Sequence, residues 1–189
     1  MAYGILYICP TPIGNLEDIT LRTIKVLKEV DLIAAEDTRR TIKLLNHYDI
    51  KKPLISYHEH NKVTKGEVLL EKLKQGKNIA LVTDAGMPGI SEPGEDIIKL
   101  CIEENIEIVA LPGPTAFVLA LVISGLSTES FVFEGFLPSK GKERKERLNR
   151  LKKETRTIIL YEAPHRIISL LKDLLENLGN RKISISREL

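Results

Sequence analysis

Little in this sequence of 189 residues invites a special architecture: it has two cysteines, no internal repeat, no low-complexity tract and a net charge of only +2. Cys9 and Cys101 stand in apolar stretches at no metal-ligand or redox spacing, so both read as reduced core residues, which suits a cytoplasmic address. The run Ile5-Leu6-Tyr7-Ile8-Cys9 is too short for a signal peptide and leads into turn residues, and no window approaches a membrane span. No membrane partner is therefore expected. The small net charge means that a polyanionic partner must be argued from where charge lies. Also missing are a dinucleotide-binding G-x-G-x-x-G, a phosphate-binding P-loop, a nucleophile elbow and any Cys/His pairing suited to covalent catalysis.

What is present is the mix of an ordinary globular protein, 43% hydrophobic and 29% charged. Short apolar runs alternate with stretches of helical period, the pattern of βαβ units around a mainly parallel sheet. Strands are expected at Ile5–Cys9, Leu32–Ala35, Pro53–Ser56, Ile79–Val82 and Ile106–Ala110. Between them Leu21, Ile24, Leu27 and Val30, then Leu69 and Leu73, then Ile97 and Cys101, mark apolar helix faces, and Gly76 and Asn105 stand where helix C-caps belong. The stretch Ala116–Ile123 is apolar all round, so it reads either as a buried helix or as one facing a second subunit in a homodimer. The polar link Ser127–Ser130 closes a first domain, residues 1–126. A second α/β domain, residues 130–189, opens with Phe131-Val132-Phe133 and is expected to hold further strands at Thr157–Tyr161 and Ile183–Ser186. At about 60 residues it is near the lower limit for an independent core and reads as incomplete.

In an open α/β sheet ligands bind outside the carboxyl ends of the strands. The loops there are Pro10–Asn15, Glu36–Arg40, Tyr57–Asn61, Thr83–Gly94 and Pro112–Thr115, rich in Gly, Pro and acid. Glycine and alanine let a ligand lie against the backbone, and proline fixes the loop beforehand. The fourth loop has no basic residue, which disfavours a pyrophosphate, whereas Asp84 suits an amine, hydroxyl or sulfonium. His58 and His60 with Glu59 and Asp37 offer metal-ligand chemistry at no specific spacing, and polar pocket walls are the preferred reading; no metal is expected. From Lys140 to Glu154, eight basic residues face three acidic ones. Leu148 and Leu151 give that segment a narrow apolar stripe, so it reads as a surface helix, either simply solvated or presenting cations to phosphates.

Taken together, Leu6–Asp18, Ala35–Arg39, Asp84–Gly89, Leu111–Pro114, Phe133–Pro138 and Tyr161–Arg166 resemble a family of small-subunit ribosomal RNA methyltransferases within the tetrapyrrole methylase superfamily. The resemblance runs in order along the whole chain. It implies a two-domain α/β fold with S-adenosylmethionine folded into the cleft between the domains, and methyl transfer to a cytidine 2′-hydroxyl in the decoding region. Cofactor-facing positions implied by it are Pro12, Ile13, Gly14, Asp84, Ala85, Gly86, Gly89, Pro112, Gly113, Thr115, Ala116, Tyr161 and Glu162, with one more near Leu189. Where tetrapyrrole methylases carry Gly-Gly-Asp-Pro, this chain has Asp84-Ala85-Gly86, so the acid is displaced. Loop position makes Asp37, His58 and Asp84 the candidates for a general base. Arg39, Lys145, Arg147 and Arg150 are the expected RNA phosphate contacts. Two alternatives stay open: a small-molecule methyltransferase of the same fold, and a ribosome-associated RNA-binding protein without turnover.

Overall fold

The computed structural model describes residues 2–188. It forms two compact units, the first ending at Ala116 and the second running from Phe117 to Arg187. The first unit comprises β1 (Leu6–Ile8), α1 (Leu21–Glu29), β2 (Leu32–Ala35), α2 (Thr38–His47), β3 (Leu54–Ser56), α3 (Lys62–Lys74), β4 (Ile79–Val82), α4 (Glu95–Glu103) and β5 (Ile108–Ala110). All ladders are parallel and the order is β3-β2-β4-β1-β5.

Such strands are buried on both faces and so read as continuous apolar runs, which is why they were visible in the sequence. The period of two then sorts their side chains between two cores. Leu6, Ile8, Ile79 and Leu81 pack with Leu69, Leu73, Ile97 and Cys101 from α3 and α4, while Cys9, Ile33, Ala80 and Val82 pack with Val26, Leu27 and Leu45 from α1 and α2. Gly76 and Asn105 adopt left-handed φ values of 84° and 56° just past α3 and α4, as C-caps require. The face expected for α1 needs correction at one residue. A spacing of three drifts around a helix of 3.6 residues per turn, so Leu21 is 87% exposed and Thr23 joins Val26 and Leu27 inside. Thr20 caps this helix by accepting the Thr23 N–H at 3.0 Å.

The topology decides where chemistry can gather. Strands are added leftward from β1 through β2 to β3, after which β4 returns to lie between β2 and β1, and β5 adds on the far side of β1. The crevice at such a reversal is the usual ligand position, and here it opens at the loop after β4.

The second unit contains α5 (Ala116–Ile123, whose first residue closes the first unit), β6 (Phe131–Phe136), α6 (Lys142–Leu151), β7 (Thr157–Tyr161) and α7 (Ile167–Leu178). The boundary falls before α5, not after it at residue 126. Phe117 belongs with the second sheet: its ring lies 4.6 Å from that of Phe133, and its N–H donates to the Tyr161 hydroxyl at 3.1 Å. Strands β6 and β7 pair in parallel with each other alone among the described residues. The expected strand at Ile183–Ser186 does not form, since its alternating Ile and Ser residues find no ladder, and Ile183 and Ile185 are exposed. That segment instead borders a cavity of about 570 Å³, walled by Ile158 and Leu160 of β7 and Leu170, Leu174 and Leu178 of α7. Burial of α5 is likewise not observed, because only Leu121 is buried while Val122 and Ile123 stand exposed. Among the described residues no helix is long and apolar enough to cross a membrane. Leu189 lies outside the described residues.

Candidate active site

The loops after β1, β4 and β5 are tied into one rim. Thr11 and Gly86 exchange two backbone hydrogen bonds of 3.0 Å, and the Thr11 hydroxyl donates to the Thr83 carbonyl at 3.0 Å. A Cβ placed on Gly86 would stand 3.4 Å from Ile13 Cγ2 and 3.7 Å from the Pro114 carbonyl oxygen, so the three loops converge there. Two of the glycines that the resemblance implies to be cofactor-facing also carry structural duties. Gly86 holds φ +87° and its N–H and carbonyl are both taken by Thr11. Gly113 packs on the Pro10 ring, where a Cβ would come within 2.3 Å of Cγ. Around them on the rim stand Pro12 and Ile13, half-buried, Gly14, Ala85 and Pro112, exposed, and Gly89 with Thr115 and Ala116, half-buried. None of these is basic, and Asp84 is the acid beside them.

On the other flank of the β4 loop the charged residues collect, because β2 is the next strand. The Asp84 N–H donates to Glu36 Oε2 at 3.2 Å, and Arg40 Nη1 reaches Asp84 Oδ2 at 2.9 Å, while Asp84 Oδ1 is buried without a hydrogen-bond partner. Glu92, further along the same loop, is pushed up to about 7 by burial, by the charge of Glu36 and a hydrogen bond with it, and by Asp84. Glu36, Arg40 and Glu92 were not singled out from sequence. The signal needed was the β2-β4 adjacency, which a single sequence does not reveal.

The other two general-base candidates, Asp37 and His58, are each held by local hydrogen bonds. Asp37 is the N-cap of α2; it accepts from the Arg39 N–H at 2.8 Å and from the Arg39 guanidinium at 2.7 Å, and these bonds hold its carboxyl far below the ordinary range. The His58 N–H donates to Asn61 Oδ1 at 2.8 Å, and Asn61 Nδ2 lies 3.1 Å from His58 Nε2. An amide nitrogen only donates, so Nε2 accepts and the proton sits on Nδ1, which is buried without a partner. His60 meets His58 edge to face at 6.0 Å between centroids, and Glu59 pairs with Lys62 at 2.8 Å. Among the described residues no three His, Cys, Asp or Glu side chains converge as metal ligands.

In the second unit Tyr161 ends β7, and the Glu162 carboxylate behind it is buried against Arg166 Nη2 at 2.6 Å and the Ala163 N–H at 2.9 Å. The basic segment forms α6 as expected, but not all its cations face solvent. Arg144 is buried, bonding Asp173 at 2.7 Å and the Pro138 carbonyl at 2.7 Å. Arg147 turns inward to the Glu134 carboxylate at 2.8 Å, the Phe136 carbonyl at 3.0 Å and the Glu134 carbonyl. Lys145 and Arg150 are exposed. Arg39 is exposed on the first unit, with its guanidinium on Asp37.

A parallel sheet with this strand order and a bridged crevice of neutral loops defines an open α/β unit of the kind that binds ligands at its strand ends, and comparison with known proteins makes the class specific. Residues 5–189 match the family described as Tetrapyrrole (Corrin/Porphyrin) Methylases, and the chain belongs to that family. It is 55% identical over 187 residues to the ribosomal RNA small subunit methyltransferase I of Synechocystis sp., covering 98% of this chain and 67% of that one. Proteins of the same name from Bacillus subtilis and Thermotoga maritima are 54% and 52% identical, again over 98% of this chain, with 64% and 83% of their own lengths covered. The chain thus spans about two thirds of most of these relatives. Among solved structures, a uroporphyrin-III C-methyltransferase from Thermus thermophilus complexed with S-adenyl homocysteine matches with a TM-score of 0.68 at 18% identity, over 94% of this chain and 78% of that one. A diphthine synthase matches with a TM-score of 0.68 at 13% identity, over 91% and 72% of the two chains. At these identities the structural likeness shows the fold.

Proposed function

We propose that this chain takes part in the S-adenosylmethionine-dependent methylation of small-subunit ribosomal RNA, with the ribose 2′-hydroxyl of a cytidine in the decoding region as acceptor. The observation that carries this reading is the 55% identity, spread along 98% of the chain, with a protein named ribosomal RNA small subunit methyltransferase I; the cytidine 2′-hydroxyl is the acceptor implied by the family resemblance. When bound, the cofactor supplies an electrophilic methyl group on a positively charged sulfur. The rim around the β4 loop suits such a group, being neutral, lined by small residues and supplied with one carboxylate, Asp84. Pro12, Ile13, Gly14, Asp84, Ala85, Gly89, Pro112, Thr115 and Ala116 would hold it, while Gly86 and Gly113 keep the rim in shape. Tyr161 and Glu162 are cofactor positions by resemblance. The Thr11–Gly86 bridge fixes the rim beforehand, which favours in-line alignment of donor and acceptor.

Glu92, on the same loop as Asp84 and hydrogen-bonded with Glu36, is the carboxyl we assign to accept the hydroxyl proton, because a base works best with a pKa near the operating pH. Its carboxyl sits near 7, whereas Asp37 is pinned by Arg39. Arg39, Lys145 and Arg150 hold phosphates, and Arg147 orients the strand-helix junction. The exposed apolar side of α5 is the surface through which two copies would form a homodimer. A cytoplasmic location follows from the ribosomal substrate and agrees with two free buried cysteines, the Cys9 thiol being pushed up to about 12 by burial. Mass spectrometry of small-subunit RNA from cells lacking the protein tests the reading together with calorimetry of S-adenosylmethionine binding. Loss of one ribose methyl group is expected. An unchanged modification pattern would overturn it.

A further inference from the structure

All four phenylalanines of the chain lie in one place, and none is in a buried core cluster. Phe131, Phe133 and Phe136 stand on β6, and Phe117 on α5 packs against the first two at 6.3 and 4.6 Å between ring centroids. Tyr161 on β7 completes the row, 5.2 Å from Phe133 and 5.4 Å from Phe136.

A β-bulge puts these rings on one face. In a regular strand Phe133 and Phe136 would point to opposite sides. Here Phe133 pairs with Ile159, Gly135 with Leu160 and Phe136 with Tyr161, so Glu134 is an extra residue and the alternation is reset. Gly135 supports the bulge with φ +59°. The opposite face carries Leu160, which packs with Leu148 of α6 and Leu170 of α7. The aromatic face retains exposed rings at both ends, Phe131 at 39% and Phe136 at 44%.

We propose that this aromatic face of the β6–β7 sheet is a stacking surface for unpaired bases of the RNA substrate. The occupant is argued from charge as well as from the rings. Four residues beyond Phe136, within about 14 Å of chain, stands Lys140, which opens the exposed basic stretch with Lys142 and Lys145. Exposed rings beside exposed cations, of which only Lys142 has an acidic partner among the described residues, Glu146 at 3.7 Å, match a single strand, whose bases stack and whose phosphates pair. A duplex hides its base faces. The inference rests on the reading of an RNA substrate given above.

Fluorescence anisotropy of the full chain with an unstructured oligouridylate and with a hairpin duplex tests it. Phe131→Ala and Phe136→Ala should each weaken oligouridylate binding about fivefold or more, leaving duplex affinity, the salt dependence and S-adenosylmethionine affinity as in the parent. Phe131→Leu and Phe136→Leu keep apolar bulk without a π-face and should lose nearly as much, and they carry the test if an alanine variant fails to fold. Unchanged oligouridylate affinity in folded variants overturns the inference, as does full affinity in the leucine variants. So does a shift in sedimentation that dissociates a dimer without touching RNA binding, which would give the face to a second copy. Ribosomal RNA methylation by the parent is measured in parallel. Its absence, with stacking intact, would remove the enzymatic reading and leave the surface standing.

Discussion

Replacing Glu92 with Gln should move stability and activity in opposite directions. The Glu92 carboxyl is raised from 4.5 to about 7 in the folded chain by burial, Glu36 and Asp84. Between those values the folded state keeps a proton that the unfolded chain has released, so stability falls as pH rises through this window. The contribution is complete below about pH 4.5 and lost once pH passes about 7. At 1.36 kcal/mol per pH unit the ceiling is about 3 kcal/mol, and because the side chain is only half-buried, solvent screening brings it to about 1–2 kcal/mol. Glutamine keeps the shape and the donor toward Glu36 but cannot ionise. Glu92→Gln should therefore match the parent in urea unfolding at pH 5 and exceed it by about 1–2 kcal/mol at pH 8. Subtracting the parent at each pH cancels the other titrating groups. Methyl transfer at pH 8 should drop by roughly 10²- to 10⁴-fold if Glu92 takes the proton. A variant less stable than the parent at pH 8 would refute the repulsion within the cluster, and a more stable variant with undiminished turnover would refute the base.

Five further variants test the geometry. Gly113→Ala drives a Cβ into the Pro10 ring at 2.3 Å and should destabilise by about 1–3 kcal/mol or more, read as a lower melting temperature. Ala85→Val, on an exposed site, should weaken S-adenosylmethionine binding in calorimetry without changing the melting temperature, whereas Gly86→Val should lower the melting temperature as well, since a β-branched residue at φ +87° is strained by about 1–3 kcal/mol. Replacing Lys145 and Arg150 together with Ala should flatten the salt slope of RNA binding by about 1.5, while Arg147→Ala should leave the slope and cost about 2 kcal/mol of stability by freeing Glu134.

How much of this was legible depends on the range of the interactions involved. The strands of the first unit showed because burial on both faces makes each a continuous apolar run, and the caps at Gly76 and Asn105 are local. The family resemblance reached further because motifs preserve loops whose partners lie far off in sequence. Strand order was not legible, and with it went the Glu36, Arg40 and Glu92 neighbourhood. Nor was the reason for Gly113, which depends on Pro10 across the β1–β5 neighbours. The inward turn of α6, in contrast, is written locally: Arg144 and Arg147 lie four residues before Leu148 and Leu151, hence on the buried stripe. The run at Ile183–Ser186 has the alternation of a strand, but alternation specifies a face and not a partner.

The position of β4 explains why one loop can serve two kinds of chemistry on the proposed reading. Its flank toward β1 and β5 meets loops with no basic residue, held by backbone bonds and proline packing, where a sulfonium finds neither a competing cation nor a flexible wall. Its flank toward β2 meets Glu36 and Arg40, where a carboxyl can keep its proton near neutral pH. Asp84 stands where the flanks join, with one oxygen on Arg40 and the other buried without a partner. A buried oxygen without a hydrogen bond is costly. The Arg40 pairing limits that cost while leaving the second oxygen free for a donor from outside the chain. A cofactor amine or a substrate hydroxyl would satisfy it, which makes Asp84 the residue through which occupation of the neutral flank is felt at the acidic one.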